Sequence, residues 1–431
     1  MEIFISNFGP IKTAKMPIKD INFLIGPQAS GKSSIIKLVN FFLQARDIVK
    51  SYVLDNLKNG TGQNKGNKIS FELNDALRRN FVPFFGPMVH AQNMLVKYDY
   101  GNSFSMTLMP DTDPKRPVFL IGESLLGVIS EIFHKNSSTF KSHYSNVRLF
   151  SDKNDMISSS IISKIESDIS DKINKHFSFD YNLIFIPASR GITSTLCEQL
   201  MGIDPKLIDT PTKNFIDRSK LLRSYFTHTV DEIINSDPRL KGKSFSELVN
   251  RMRRILKGNF YDDNEGGRIE IGNKKYVKLN FSSSGQQECL WVLLTLFLVA
   301  IEGANVLFFI EEPEAHLFPE AQMDMVEFMA NVHTLTRCKF LITTHSPYIL
   351  SAANNLLYAD RITNSGKDVS HLIPRELHLP CDLTTSFMIR EGRIISIFDE
   401  TIKQIDAAAI DSCSEKINQL YSQLEDEDFK K

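Results

Sequence analysis

Apolar and polar positions change their period several times along the chain, and each change marks an element. Ile3 to Phe8 alternate as a half-buried strand does, Gly9-Pro10 breaks the run, and Ile21 to Ile25 is continuously apolar, as suits a strand covered on both faces. After Gly26-Pro27, Ile35, Ile36, Val39, Phe42 and Leu43 recur at helical spacing. The pattern predicts strand, loop, helix. Residues 51 to 68 are rich in Gly, Asn and Lys and predict an exposed loop. Segments around Ile69 to Leu73 and Val96 to Leu108 alternate, which predicts a hairpin in an antiparallel β layer.

Residues 120 to 180 and 195 to 257 carry mostly helical spacing, with Ser- and Asp-rich joints near 151 to 158 and proline-marked joints near Pro205, Pro211 and Pro238. Leu183 to Ile186 stand apart as a strand. From about residue 268 strands and helices alternate again: strand Tyr276 to Phe281, helix Glu288 to Ile301, strand Val306 to Ile310, helix Glu320 to His333, strand Lys339 to Thr343. From Asp399 onward one or two amphipathic helices are expected, ending in an acidic and then basic tail. The expected architecture is therefore α/β. It has a first lobe over 1–120, a mainly helical insertion over 121–267 with one core strand near 183–186, a second lobe over 268–365, and closing strands and helices over 366–431.

Composition narrows the function classes. The chain has 431 residues, 42% of them hydrophobic, enough for a substantial core. Lys plus Arg number 50 against 51 Asp plus Glu, so a nucleic-acid contact is confined to a local patch such as Arg251, Arg253, Arg254 and Lys257. The five cysteines (Cys197, Cys289, Cys338, Cys381, Cys413) are scattered and never form C-x-x-C, which argues against a disulfide framework or zinc site and for a reducing cytoplasm. The amino terminus lacks the basic-then-apolar build of a secretion signal. The longest apolar run, Leu290 to Ile301, covers 12 residues, short of the roughly 20 that span a bilayer, so a buried helix is expected.

The chemistry lies in four places. Gly26 to Ser33 fits G-x-x-x-x-G-K-[ST] between an apolar strand and a helix. Such a loop turns successive N–H groups toward phosphate at a helix N-terminus, while Lys32 neutralises the β- and γ-phosphates and Ser33 holds Mg²⁺. The candidate nucleotide-binding residues are Gly26, Gln28, Ala29, Ser30, Gly31, Lys32, Ser33 and Ser34. Val306 to Pro313 is an apolar strand that delivers two carboxylates at its C-terminal end, the edge where open α/β sheets bind ligands. Alternation along that strand would let Glu311 serve Mg²⁺ from its outer shell and Glu312 polarise the attacking water. His345 ends the apolar strand Phe340 to Thr344, placed to sense a γ-phosphate. Ser283, Ser284, Gly285 and Gln286 precede the most apolar helix and form a second anion-binding helix start. Two such starts about 250 residues apart are redundant in a monomer. They make sense when one serves the nucleotide of a partner subunit.

In this order the motifs resemble the ABC/SMC ATPase superfamily, with G-P-Q-A-S-G-K-S as Walker A, S-S-S-G-Q-Q as signature, F-F-I-E-E-P as Walker B and His345 as switch histidine. E-E-P-E-A-H-L-F-P-E-A-Q, T-T-H-S-P-Y-I-L, N-F-G-P-I and I-P-A-S-R-G resemble its OLD (overcoming lysogenization defect) branch and relatives in bacterial antiphage systems. The resemblance implies an ABC-type P-loop head, a mixed sheet plus an antiparallel β layer, split by a helical insertion. It implies binding and hydrolysis of ATP with Mg²⁺, with Glu312 and His345 catalytic. Ser283, Gly285 and Gln286 would reach the γ-phosphate across a head-to-head dimer, with Ser284 standing where Gly is commoner. Glu311 stands where Asp is usual, which implies slower or altered Mg²⁺ handling. No Q-loop glutamine is assigned.

OLD nucleases carry a Toprim domain after the ATPase. Here 86 residues follow His345, and Glu391-Gly392 with Asp426-Glu427-Asp428 only imitate its acidic pieces, so no nuclease is expected in this chain. That layout resembles the PtuA-type ATPases of Septu defence, which work beside a separate HNH nuclease. The expected protein is a cytoplasmic homodimer or higher oligomer that regulates or scaffolds a separate effector. The alternative is a DNA-repair ATPase resembling RecF or Rad50, binding DNA through its helical insertion, although the insertion lacks the sustained heptads of a long coiled coil. A membrane-transporter ATPase shares the motifs, but carries a far shorter insertion.

Overall fold

Every residue from Ile21 to Ile25 is buried, and the run forms the strand that its unbroken apolarity predicts. The computed structural model describes residues 1–60, 66–86, 93–111, 117–147, 155–191, 194, 208–240, 242–263, 266–272, 275–406 and 412–428. Of the joints and cysteines named above, residues 151–154, Cys197 and Pro205 lie outside the described residues, as do residues 61–65 of the expected loop. The strands are β1 (Glu2–Phe8), β2 (Ile11–Pro17), β3 (Ile21–Ile25), β4 (Leu95–Gly101), β5 (Phe104–Pro110), β6 (Pro117–Ile121) and β7 (Asn182–Ile186). They continue with β8 (Asn259–Asp263), β9 (Gly266–Glu270), β10 (Tyr276–Lys278), β11 (Val306–Glu311), β12 (Lys339–Thr344), β13 (Thr384–Arg390) and β14 (Arg393–Ser396). The helices are α1 (Lys32–Lys58), α2 (Gly66–Phe85), α3 (Glu123–Val147), α4 (Asp155–Phe177), α5 (Thr210–Tyr225) and α6 (Val230–Ser236). After them come α7 (Lys243–Leu256), α8 (Ser284–Glu302), α9 (Pro319–Thr336), α10 (Pro347–Asn364) and α11 (Ser412–Asp428).

The chain divides into two compact units, neither of them continuous. The first comprises residues 1–18, 33–183 and 204–211, the second 19–32, 184–203 and 212–431. The stretch expected as one insertion over 121–267 is thus shared: α3 and α4 belong to the first unit, α6 and α7 to the second.

In the first unit β6-β5-β4-β1-β2 form an antiparallel layer, including the hairpin predicted around Val96 to Leu108. An aromatic cluster fills its core, with Phe41 against Phe81 at 5.0 Å and Phe42 stacked on Tyr98 at 5.5 Å between ring centroids. Two expectations fail here. Residues 51–58 extend α1 instead of looping, because Val53 and Leu57 keep the helical spacing and are buried. Ile69 and Leu73 belong to α2, not to a strand. With Leu77 and Phe81 they recur every four residues and are wholly buried, which is a helix face.

The second unit holds a mixed sheet in the order β14-β13-β3-β12-β11-β7, with β13, β3, β12 and β11 parallel and β14 antiparallel to β13. Trp291, Phe308 and Phe340 are among its fully buried side chains. Helix α8 is long and apolar enough to cross a membrane by length and composition, yet Cys289 to Phe297 are buried without a break, as in a core helix. It starts at Ser284, four residues before the predicted Glu288, because Ser283 caps it. The strand expected over Tyr276 to Phe281 ends at Lys278, and Leu279–Phe281 form a 3₁₀ turn that leads into the cap. After β14, Phe398–Asp399 pair with Gln404–Ile405 before α11 begins, so the helix expected from Asp399 onward starts later.

Candidate nucleotide-binding site

β3 runs parallel to both β12 and β13, so the chain leaves it at the C-terminal edge of the parallel strands, where ligands bind in such sheets. Gly26 lies against β13: a Cβ there would stand 2.8 Å from the Ile389 carbonyl oxygen. Ala29 (φ 59°) and Gly31 (φ 104°) take left-handed conformations that curl the loop before Lys32 opens α1. Lys32 is only 5% exposed as a residue, and its ammonium donates to the carbonyls of Gly26 at 2.7 Å and Pro27 at 2.9 Å. Burial pushes its pKa down to about 8, against the pull of the Glu312, Glu314 and Glu311 carboxylates. Gln28 and Ala29 are exposed, and the buried Ser30 hydroxyl has no hydrogen-bond partner. Ser33, exposed, and Ser34, half-buried, follow along α1.

Glu311 is the last residue of β11, and Glu312 lies beyond it at φ 46°. The two carboxylates are therefore separated by a left-handed turn and not by strand alternation. A left-handed glutamate persists only where its surroundings hold it, and the Glu312 N–H donates to the Thr343 carbonyl at 2.9 Å. Glu311 is 6% exposed; its Oε2 accepts the Ala188 N–H at 3.0 Å, and its Oε1 is buried without a hydrogen-bond partner.

Glu312 Oε1 lies 2.9 Å from Nε2 of His345, and His345 Nδ1 lies 3.4 Å from the Lys32 ammonium. An ammonium only donates, so Nδ1 accepts and Nε2–H points at Glu312. Both the histidine and the glutamate side chains are 34% exposed, open to a ligand. Glu314 holds the histidine from behind: its Oε1 accepts the Thr344 hydroxyl and the His345 N–H, each at 2.7 Å. The Ser346 hydroxyl donates to Gln322 at 2.5 Å. Periodicity gave no reason to single out Glu314 or Gln322, although both stand inside the string E-E-P-E-A-H-L-F-P-E-A-Q.

Among the described residues no group of three or more His, Cys, Asp or Glu is placed to hold a metal ion. A magnesium ion needs no such cage, since it keeps waters and phosphate oxygens and takes one or two carboxylates. The unpartnered Oε1 of Glu311 beside Lys32 fits that role, with Ser33 as the hydroxyl next along the chain.

The signature residues form a separate locus. Ser283 and Gln286 make a reciprocal capping box, and the Gln286 amide also donates to the Leu256 carbonyl at 2.9 Å. The Gln286 side chain is thus engaged within its own chain. Gly285 is required by packing, because a Cβ would stand 2.7 Å from the His316 carbonyl oxygen. Among the described residues Ser283 to Gln286 share no hydrogen bond or ion pair with Lys32, Glu311, Glu312 or His345. Arg190, from I-P-A-S-R-G, is a buried residue between these loci that no periodicity marks.

The candidate basic patch is largely neutralised. Arg251 pairs with Glu327 at 3.1 Å, Arg254 with Asp324 at 2.8 Å and Arg253 with Asp231. Glu391 and Gly392 form the turn between β13 and β14, and Asp426 to Asp428 end α11.

Among solved structures the chain is similar to an SMC head bound to the C-winged helix domain of ScpA, at 13% identity and a TM-score of 0.38, covering 92% of this chain and 96% of that one. It is also similar to the SMC head domain from Thermotoga maritima, at 12% identity and a TM-score of 0.35, covering 92% and 97%. A third is an Smc head with an extended coiled coil bound to the C-terminal domain of ScpA derived from Pyrococcus furiosus, at 11% identity and a TM-score of 0.36, covering 92% and 95%. No curated protein matches. The family described as AAA ATPase domain matches residues 1–350. That match takes in 350 of the 431 residues, and the chain belongs to the AAA ATPase domain family.

Proposed function

We propose that this ATPase binds Mg-ATP in the Gly26–Ser34 turn and hydrolyses it with Glu312 polarising the attacking water. Two nucleotide-loaded heads pair so that Ser283, Ser284 and Gly285 of each face the γ-phosphate held by the other, and Gln286 joins them on leaving its cap. The observation that carries the reading is the relay from Lys32 through His345 to Glu312, at 3.4 and 2.9 Å. It sets a phosphate-neutralising cation, a switch and a general base side by side. Ser33 and Glu311 would hold the magnesium ion, which would supply positive charge beside the phosphates.

The pairing of heads serves a separate effector. The motif strings that resemble the OLD branch support a cytoplasmic regulator or scaffold in antiphage defence, working beside a separate nuclease such as an HNH protein. Turnover in three proteins tests the chemistry. Lys32→Ala is expected to lose nucleotide binding, and Glu312→Gln to keep binding while hydrolysis falls at least about a hundredfold. Wild-type turnover in both variants would refute the assignment.

A further inference from the structure

Arg190 follows β7 and is 0% exposed, a place an arginine holds only when its donors are matched. Nη1 donates to the carbonyls of Pro187 at 3.2 Å and Glu311 at 2.7 Å, Nη2 to that of Glu312 at 2.7 Å, and Nε to that of Glu288 at 2.9 Å. The Glu288 carboxylate stands 3.4 Å from Nε. The rest of the turn repeats the pattern. The Gly191 N–H donates to Glu288 Oε1 at 3.2 Å, the Ser194 hydroxyl donates to the Gln287 carbonyl at 3.0 Å, and the Trp291 indole donates to Ser194 at 2.7 Å. One planar guanidinium thus ties the peptide carbonyls at the end of β11 to the first turns of α8, two residues beyond the signature turn.

We infer that Arg190 is a positioning residue that holds the left-handed Glu312 peptide against α8, so that a change at the catalytic carboxylate is carried to the signature turn of the same subunit. The inference rests on the proposed roles of Glu312 and Ser283 to Gln286. A lysine cannot replace the fan, since one ammonium cannot reach carbonyls spread across a planar fork. The chain carries a single tryptophan, Trp291, so its emission reports on the surroundings of α8, the Ser194 contact of this bracket among them.

The test uses the full chain, with hydrolysis resolved into kcat and KM and Trp291 emission recorded with and without Mg-ATP. In Arg190→Lys, kcat is expected to fall at least about tenfold with KM within about twofold, and the emission response of the wild type to vanish. Gly191→Ala is the gentler variant. Its Cβ would stand 2.4 Å from Glu288 Oε1, the free end of a flexible side chain, so the carboxylate swings away while Arg190 stays buried. A partial loss of kcat and of the emission response is expected there, and it decides the matter should Arg190→Lys fail to fold. Wild-type kcat and emission response in a folded Arg190→Lys or in Gly191→Ala would overturn the inference, as would a wild type whose emission ignores Mg-ATP that it binds. A wild type that binds without hydrolysing, with an emission response lost in the variants, would sink the hydrolytic reading and uphold the coupling.

Discussion

Nucleotide affinity is expected to fall as pH rises above about 8, because Lys32, the cation proposed to meet the phosphates, is buried before they arrive. Burial holds Lys32 near pKa 8 in the free protein. Bound phosphate must push that value back up, since a nearby opposite charge favours the charged form. Binding therefore takes up a proton wherever the free ammonium has lost one. With a free value of about 8, uptake is about 0.8 proton at pH 8.5, and affinity drops roughly fifteenfold between pH 8 and 9.5.

Calorimetry in buffers of different ionisation enthalpy reads the uptake, and the same titrations read the affinity. Lys32→Arg is the control, because a guanidinium stays charged throughout and its affinity is expected to be flat over this range. A wild-type affinity equally flat, with no uptake at pH 8.5, would refute the account of Lys32. The same shift bears on stability. Between pH 8 and 10.5 the unfolded chain keeps a proton that the folded one has released, so the nucleotide-free fold gains stability as pH rises through that window.

Other positions give independent checks. Gly26→Ala forces a Cβ to within 2.8 Å of the Ile389 carbonyl oxygen, and a loss of about 1–3 kcal/mol is expected in denaturant unfolding. Thr344→Val removes a donor from the buried Glu314 carboxylate, which is expected to cost about 1–3 kcal/mol and to lower turnover by loosening His345. Burial pushes the thiols of Cys289 and Cys381 up to about 12, so peptide mapping after alkylation of the native protein at pH 8 is expected to find both unmodified.

What was legible in the sequence was whatever a period or a local motif encodes. The run Ile21 to Ile25, the Gly-Lys-Ser turn after it and the apolar strands ending at Glu311 and Thr344 lie where their patterns place them. Ile69 to Leu73 misled because five residues are too few to separate a period of two from one of four. Only Leu77 and Phe81 settle the face. The loop expected from residue 51 began too early because glycine and asparagine farther on coloured a window whose first residues still pack Val53 and Leu57. Tertiary contacts to backbone left no trace in composition. The left-handed Glu312 and the carbonyl fan around Arg190 exist only once β7, β11 and α8 are assembled. The signature residues were found by their type, but the sequence could not show that the Gln286 amide is already committed to its own cap and to Leu256.

The central claim is a composite site closed by two heads, and the mass in solution of Glu312→Gln with and without Mg-ATP tests it most directly. Binding without hydrolysis should trap the pair, so the account predicts a monomer that becomes a dimer only when Mg-ATP is present. A mass that Mg-ATP leaves unchanged, in protein shown to bind the nucleotide, would contradict it.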